Sequence, residues 1–488
     1  MDAVLAVLFS GAMWYGSAGI NHVWPLAWLA PAPLLIVLPG LKPWRATLAA
    51  FAAACGGAAS FVVAYWGAMP LWMLALMVPA MAAPYAAAAM GWRAVARRSG
   101  PVVTALAYAA FVTLEEWLVA QLSPNGTFGS VAYSQADVLA VIQLGSLTGL
   151  AGITFVVALV GATLAVMWRE RDSRSTREAA LGVAALLVAA TLVYGDLRLA
   201  AAAPARVVRI GLVASDSANR PFTTDGTEAL RVARGYAARA SLLAERDLQF
   251  IVLPEKFVAA LPGDDYGARV ALASVARRWR LTLAAGFNVT GRAQPRNLAV
   301  VFGPDGRTLL EYDKVHLVPG LERGYARGAL IGVVPDTAVT AGVAICKDMD
   351  FPALGRTYAR AGVQLMLVPA WDFGRDAWLH SRMAVLRGVE GGFAVARSAS
   401  DGLLTVSDAR GRVVAERATD AAGEVLVAGA VRAGPAGTFY SRTGDWFAAL
   451  VTLVAVLCVL DARRRPVAGP GGPGAGQRST LDRQPLPR

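Results

Sequence analysis

A chain of 488 residues with 56% hydrophobic and only 16% charged side chains falls well below the roughly 25% charge of water-soluble domains, which excludes a wholly soluble enzyme. The formal net charge of +12 is no signature of nucleic-acid binding, because many of the basic residues sit in short loops between apolar runs, where they set topology and attract anionic headgroups. Three cysteines, Cys55, Cys346 and Cys458, exclude a disulfide framework.

In chain order, residues 1–200 read as a membrane bundle. Runs long enough for about 30 Å of hydrocarbon occupy 3–20, 23–39, 46–66, 70–91, 101–120, 140–168 and 179–200, the first two being short and interrupted by Trp and Pro. Their small residues let helices approach, and their Trp residues suit the interfaces. Residues 1–20 begin Met1-Asp2 without a basic start, so they read as a span rather than a cleaved signal. Lys42 and Arg45, then Arg93, Arg97 and Arg98, then Arg169, Arg171, Arg174 and Arg177 fall in alternate loops, while 21–23, 67–70 and 121–137 hold no Lys or Arg. With an eighth span at 446–461 followed by Arg463, Arg464 and Arg465, every basic cluster falls on one side, expected to be the cytoplasm. Both termini then face the cytoplasm, and 201–445 lies outside. Glu115 and Glu116 are an ionisable pair within a span; they mark a functional polar site or pack against a loop near the interface.

Within 201–445 the pattern changes to short strands and amphipathic helices. Strands are expected at 206–213, 248–253, 281–288, 297–302, 308–312, 340–345, 363–369, 393–398 and 403–408, with helices at 228–245, 265–278 and 378–389. Pro304-Asp305-Gly306 and Ala409-Arg410-Gly411 are turn signals. Alternating strands and helices with inserted hairpins argue for a layered α/β domain, whose strand ends are where chemistry is placed. The remainder, 462–488, is expected to be a cytoplasmic tail; its Pro/Gly-rich part from 466 reads as disordered. No repeat, P-loop or dinucleotide fingerprint is visible, and His22, His316 and His380 are too few and scattered for a histidine metal site. No cofactor is expected. His316 reads as a local hydrogen-bonding residue.

Three residues carry the chemistry. Glu255 in IVLPEKF, Lys314 in EYDKVHL and Cys346 in VAICKD each follow a strand-like stretch, and strands of one sheet can deliver them to one edge. Cys346 has no disulfide partner outside the spans; a buried structural cysteine is the alternative. A free thiol is only slightly ionised near neutral pH and needs help to attack a carbonyl. Glu255 is the candidate proton acceptor. Lys314, with backbone N–H groups after Cys346, is the candidate stabiliser of the oxyanion.

LPEKF, YDKVHLVPG and ICKDMDFP resemble the Glu-Lys-Cys motifs of the nitrilase, or carbon–nitrogen hydrolase, superfamily. Seven spans before such a domain and one after it resemble the apolipoprotein N-acyltransferase family. So do PLAWLAPAPL at 25–34, RNLA at 296–299 and HSRMAVLRGVE at 380–390. The resemblance covers about 1–461 and implies a bacterial inner-membrane protein with an extracytoplasmic α-β-β-α sandwich. It implies transfer of a phospholipid acyl chain, through a Cys346 thioester, to the α-amine of a diacylglyceryl-cysteine lipoprotein. It makes Glu255 the base and Lys314 the oxyanion stabiliser, and it gives Glu322 in GLERGY the task of orienting Lys314 and Cys346; a loop-surface carboxylate is the plainer reading of Glu322. Its partners are a phospholipid donor, a lipoprotein or other amine acceptor and the bilayer, with no nucleic acid, and a monomer is expected.

The chain departs from that family's pattern at Lys347-Asp348, where an aromatic residue and glutamate are usual, in Leu321-Glu322-Arg323-Gly324, and at Pro369-Ala370-Trp371-Asp372-Phe373-Gly374. Lys347, Asp348, Trp371 and Phe373 are therefore candidate pocket residues. Phe257 and the 371–373 stretch either line an acyl entry, or act as its lid, or pack in the core. The rivals are a membrane-tethered amidase using water, an N-acyltransferase for another amine, and a non-catalytic scaffold or transporter. A long apolar groove open to the bilayer favours acyl transfer; a closed polar pocket favours hydrolysis.

Overall fold

In hydrocarbon every backbone N–H must find an acceptor within its own segment, so the long apolar runs become helices. The computed structural model describes residues 2–465 except 171–172, 203–204, 223–224, 262, 264, 292, 336, 420–423 and 435; the expected tail from 466 onward lies outside the described residues. Six described helices are long and apolar enough to cross a membrane: Pro43–Tyr65, Leu71–Ala96, Pro101–Leu122, Leu150–Arg169, Arg177–Ala200 and Trp446–Arg464. The first two expected spans are shorter, Ala3–Ser17 and a segment broken into Trp24–Leu29 and Pro31–Val37. Proline has no N–H and fits the first turn of a helix, so Pro31 starts a new helix instead of continuing one. The expected span 140–168 is also divided. Gly149 (φ +66°) separates Leu139–Ile142 and Gly145–Thr148 from Leu150–Arg169. A Cβ at Gly149 would lie 2.6 Å from the Tyr440 ring, so the break admits a side chain arriving from the other half of the molecule.

The bundle has two different ends. Arg93 donates to the carbonyl of Leu38 at 2.9 Å, which joins two basic loops at one end. The loops at the other end, with Tyr65, Asn125, Thr127 and Asp137, touch the α/β half.

That half is two sheets face to face. One has the order Glu424–Ala433, Arg206–Ser215, Phe250–Val252, Thr282–Val289, Arg296–Phe302, Thr308–Asp313, with Val258–Ala260 also paired to Thr282–Val289. The other runs Val413–Ala418, Leu403–Ser407, Ala394–Ser400, Leu365–Trp371, Ala341–Val343, Gly332–Val334. Side chains alternate across a strand, and the burial follows that period. Val208, Ile210, Leu212 and Ala214 point into the inter-sheet core with Val343, Leu365, Leu367, Ala394 and Ala396. Val213, Ile251, Leu283 and Leu298 point the other way, against helices Gly226–Ala244 and Tyr266–Trp279. On the far sheet Met366, Val368 and Val395 meet Tyr358 and Ala384 of helices Pro352–Arg360 and Ala377–Gly391. The layers are α-β-β-α.

Helix Ala377–Gly391 is also the dock to the bundle. Leu379, Met383, Leu386 and Val389 share one apolar cluster with Ala27, Phe61, Tyr65, Tyr133 and Ile142, and burying such side chains contributes about 1.5–3 kcal/mol each. Polar ties flank it: Arg382 to Asp137 at 2.6 Å, Arg387 to the Tyr133 hydroxyl at 3.1 Å, and the Leu150 N–H to Glu390 at 3.0 Å.

Candidate active site

Three strand ends converge. Glu255 follows Phe250–Val252 through Leu253-Pro254, and its N–H donates to the Ala370 carbonyl of the opposite sheet at 3.1 Å. Gly286 makes room for this turn: a Cβ there would sit 2.5 Å from the Pro254 oxygen and 2.6 Å from the Glu255 Cα. Lys314 follows Thr308–Asp313, held by its N–H to the Asn297 carbonyl at 3.0 Å. Cys346 opens a short 3-10 turn, Cys346–Asp350, in the left-handed region at φ +43°. That conformation costs a non-glycine residue about 1–2 kcal/mol. The Asp348 carboxylate holds it, accepting the N–H of Ile345 at 3.0 Å and of His316 at 2.7 Å and the Tyr312 hydroxyl at 2.8 Å.

The charges then interlock. Lys314 Nζ lies 2.8 Å from Glu255 Oε1 and 3.1 Å from Glu322 Oε2. Asn297 Nδ2 donates to both carboxylates, at 2.5 Å to Glu255 and 2.6 Å to Glu322. Lys256 Nζ reaches Glu322 Oε1 at 2.7 Å, and the Val318 N–H reaches Oε2 at 2.8 Å. Glu255, Lys314 and Glu322 are each at most 2% exposed. Glu322 is thus no loop-surface carboxylate. Burial pushes its pKa up, but Lys314, Lys256 and the Val318 N–H outweigh it and hold the carboxyl at about 2. For Lys314, burial favours the neutral amine, but Glu255 and Glu322 win and its pKa is raised, so it stays an ammonium.

Burial, reinforced by Glu255 and Asp372 and opposed by Lys314 and Arg397, pushes the Cys346 thiol up. The resting sulfur is therefore protonated, and its proton must leave as it attacks. A buried carboxylate next to an ammonium is suited to receive it. His316 does not reach this centre as a base: its ring Nδ1 is 3.1 Å from Asp348 and stacks on Phe351.

One cavity of about 740 Å³ joins this cluster to the bundle. It is lined by Glu255, Lys314, Glu322 and Cys346 and also by Met73, Leu76, Met77 and Met81 of helix Leu71–Ala96. Lys347, Trp371 and Phe373 line it, but Asp348 does not. The expectation that Asp348 forms the pocket is corrected: its oxygens are consumed in bracing the Cys346 turn. Of the roles open to Phe257 the structure gives core packing: it is fully buried between Tyr236 and Phe287 in the outer-helix core. Trp371 is fixed by its indole N–H to Asp401 at 2.7 Å. In the span, Glu116 accepts from Ser130 and the Val131 N–H, each at 2.8 Å, the loop packing that is one of the two roles open to the pair. Glu115 and Glu116 both line the cavity.

Sequence reasoning passed over Asn297 and Lys256 as site residues, although RNLA and LPEKF contain them. It also missed the buried set formed by Asp376, His380 and Tyr65. Asp376 accepts from the Tyr65 hydroxyl at 2.7 Å and lies 3.2 Å from His380 Nε2. Only tertiary contact brings Tyr65, on a membrane helix, to that carboxylate.

Two family models match in tandem: the apolipoprotein N-acyltransferase N-terminal domain over residues 10–163 and the carbon–nitrogen hydrolase over 211–435. Over the full length the chain is 28% identical to the apolipoprotein N-acyltransferase of Geobacter metallireducens, covering 96% of each. It is 27% identical to that of Bradyrhizobium diazoefficiens, covering 74% of this chain and 73% of the relative. Among solved structures, an amidase from Nesterenkonia sp. aligns at TM-score 0.40 and 23% identity, over 50% of this chain and 95% of its own. Fold and site thus define a membrane-mounted carbon–nitrogen hydrolase-type enzyme with a buried Glu-Lys-Cys cluster. Within that class, the tandem match and the full-length relatives narrow the likeness: along its length the chain is similar to apolipoprotein N-acyltransferases.

Proposed function

We propose that this chain moves a fatty acyl group from a phospholipid, through a Cys346 thioester, to the α-amine of a diacylglyceryl-cysteine at a lipoprotein N-terminus. The observation that carries this reading is the continuous cavity from Cys346 to the methionine-lined face of a membrane helix. A small polar amide needs no such groove, whereas an acyl chain does. The alternation of basic loops supports a cytoplasmic basic end and an extracytoplasmic α/β half, where exported lipoproteins are met.

In the first half-reaction Cys346 Sγ attacks the ester carbonyl while its proton passes to Glu255. Lys314 and the backbone N–H groups after Cys346 meet the oxyanion. The carbon–oxygen bond breaks, and Glu255 returns the proton to the departing lysophospholipid alkoxide. In the second, the acceptor amine attacks the thioester and loses a proton to Glu255, and Sγ leaves and regains it. The cycle is ping-pong. Glu322 and Asn297 position Lys314 and Glu255 without touching the reacting atoms. Walls that exclude water protect the thioester from hydrolysis.

Intact-mass analysis after incubation with a defined phospholipid tests the reading. The wild-type chain gains an acyl-sized adduct and Cys346→Ala gains none; a diacylated lipopeptide then discharges the adduct as a triacylated product. An adduct that persists in Cys346→Ala rules out this nucleophile. Release of free fatty acid alone supports the hydrolase reading, and discharge only by a different amine reassigns the acceptor.

A further inference from the structure

We infer that Lys347 forms a phosphate-binding subsite for the acyl donor, so that the enzyme selects glycerophospholipids by their phosphate as well as by their chain. This rests on the acyl-transfer reading above and adds a specificity determinant to it. Lys347 is 7% exposed and lines the same cavity as Cys346. A buried ammonium is costly unless paired and hydrogen-bonded, and here the compensation is incomplete. Among the described residues its hydrogen-bond acceptor is a neutral one, Asn125 Oδ1 at 2.9 Å. The nearest carboxylate oxygen, Asp350 Oδ2, stands at 3.7 Å, and it has no hydrogen-bond partner among the described residues. Asp350 Oδ1 faces His380 Nδ1 at 3.8 Å.

The other two lysines that line the cavity differ. Lys256 is 2.7 Å from a Glu322 oxygen, and Lys314 lies between Glu255 and Glu322. Lys347 is the one whose N–H donors, three on any ammonium, are not already taken up by a carboxylate. Its place is also right. Consecutive Cα atoms are about 3.8 Å apart, so this ammonium swings from a point beside the nucleophile. The glycerol of a phospholipid keeps the phosphate a few bonds from the ester under attack. With that ester carbonyl on Sγ, the phosphate falls within the sweep of the lysine side chain.

A purely mechanical role is less suited to Lys347. The loop that carries Asn125 is already fastened to the nucleophile's turn, because Thr127 donates to the Asp350 carbonyl from its N–H at 3.1 Å and from its hydroxyl at 2.8 Å.

The test compares two donors with identical acyl chains, phosphatidylglycerol and the phosphate-free diacylglycerol, in maltoside micelles, with kcat/KM for acyl-enzyme formation read by intact mass. The full chain is used as wild type, Lys347→Met, Lys347→Arg and Asn125→Ala. In Lys347→Met the loss on phosphatidylglycerol exceeds the loss on diacylglycerol by about tenfold or more, the scale of a charge-assisted hydrogen bond. Lys347→Arg keeps most of the wild-type preference, and Asn125→Ala keeps the ratio, since the ammonium remains. Equal losses on both donors, or no loss on either, overturn this inference alone. Inhibition of the wild type by inorganic phosphate that disappears in Lys347→Met, together with equal losses on the two donors, reassigns the subsite to free phosphate and overturns the donor role. A wild-type chain that forms no acyl-enzyme with either donor overturns the acyl-transfer reading and this inference with it.

Discussion

Replacing Glu322 by glutamine tests whether the charge cluster, and not mere packing, holds the site together. The carboxylate takes four donors: Lys256 at 2.7 Å and Asn297 at 2.6 Å on Oε1, Lys314 at 3.1 Å and the Val318 N–H at 2.8 Å on Oε2. A glutamine amide has one acceptor oxygen and an NH2 group, so one pair of donors is left facing another donor. The magnitude follows from linkage. The carboxyl falls from its ordinary 4.5 to about 2 in the folded chain, and at about 1.4 kcal/mol per pKa unit that is about 3 kcal/mol. For a domain of this size it corresponds to a fall of roughly 6–12 °C in thermal midpoint. A depressed folded-state pKa contributes stability that is present above the unfolded value and lost as pH falls through the folded one. The deficit of Glu322→Gln is therefore full at neutral pH and shrinks by more than half as pH falls below the ordinary glutamate range toward the folded value of about 2. Thermal unfolding in detergent over that range measures it. An equal deficit at both ends of the range would refute the charge account and leave shape as the cause.

Two further outcomes follow from the same geometry. His380 has its pKa raised to about 10: burial lowers it, but Asp376 and Asp350 outweigh burial. Its charge therefore contributes stability that is complete below about 6.5 and is lost as pH rises through about 10. Relative to His380→Gln, the wild-type advantage in thermal midpoint narrows over that window, and a constant advantage across it would sink the assignment. Ala80 lines the cavity on helix Leu71–Ala96. Ala80→Trp fills the groove, so acyl-enzyme formation from a long-chain donor drops by about tenfold or more, the scale of overpacking by 1–3 kcal/mol, while a short-chain ester loses far less. Parallel losses on the two donors would show that the acyl chain lies elsewhere.

Much of this was legible from local sequence. Apolar runs separated by basic loops, and strands whose period-two pattern ends in Glu255, Lys314 or Cys346, are one-dimensional signals. The strand Glu424–Ala433 was passed over, yet Val425, Val427 and Val431 show the same period; the exposed edge strand Val413–Ala418 carries a weaker one. Asp348 was misplaced because a carboxylate two residues after a nucleophile reads equally as a pocket wall or as a brace. The side on which it falls depends on the turn at φ +43°, which has no sequence signature.

By itself the sequence determined which segments are apolar enough for lipid, which carry a strand period, and which three side chains are the candidates for acyl transfer, because hydrophobic length, strand period and functional-group identity are all local properties. Only the tertiary structure decided that Asn297 binds both carboxylates, that Tyr65 meets Asp376 across 311 residues of chain, and that one cavity runs from Cys346 to the methionines of a membrane helix. Those facts arise from the distances between elements far apart in the chain, and such distances are set by packing two sheets and a bundle against one another.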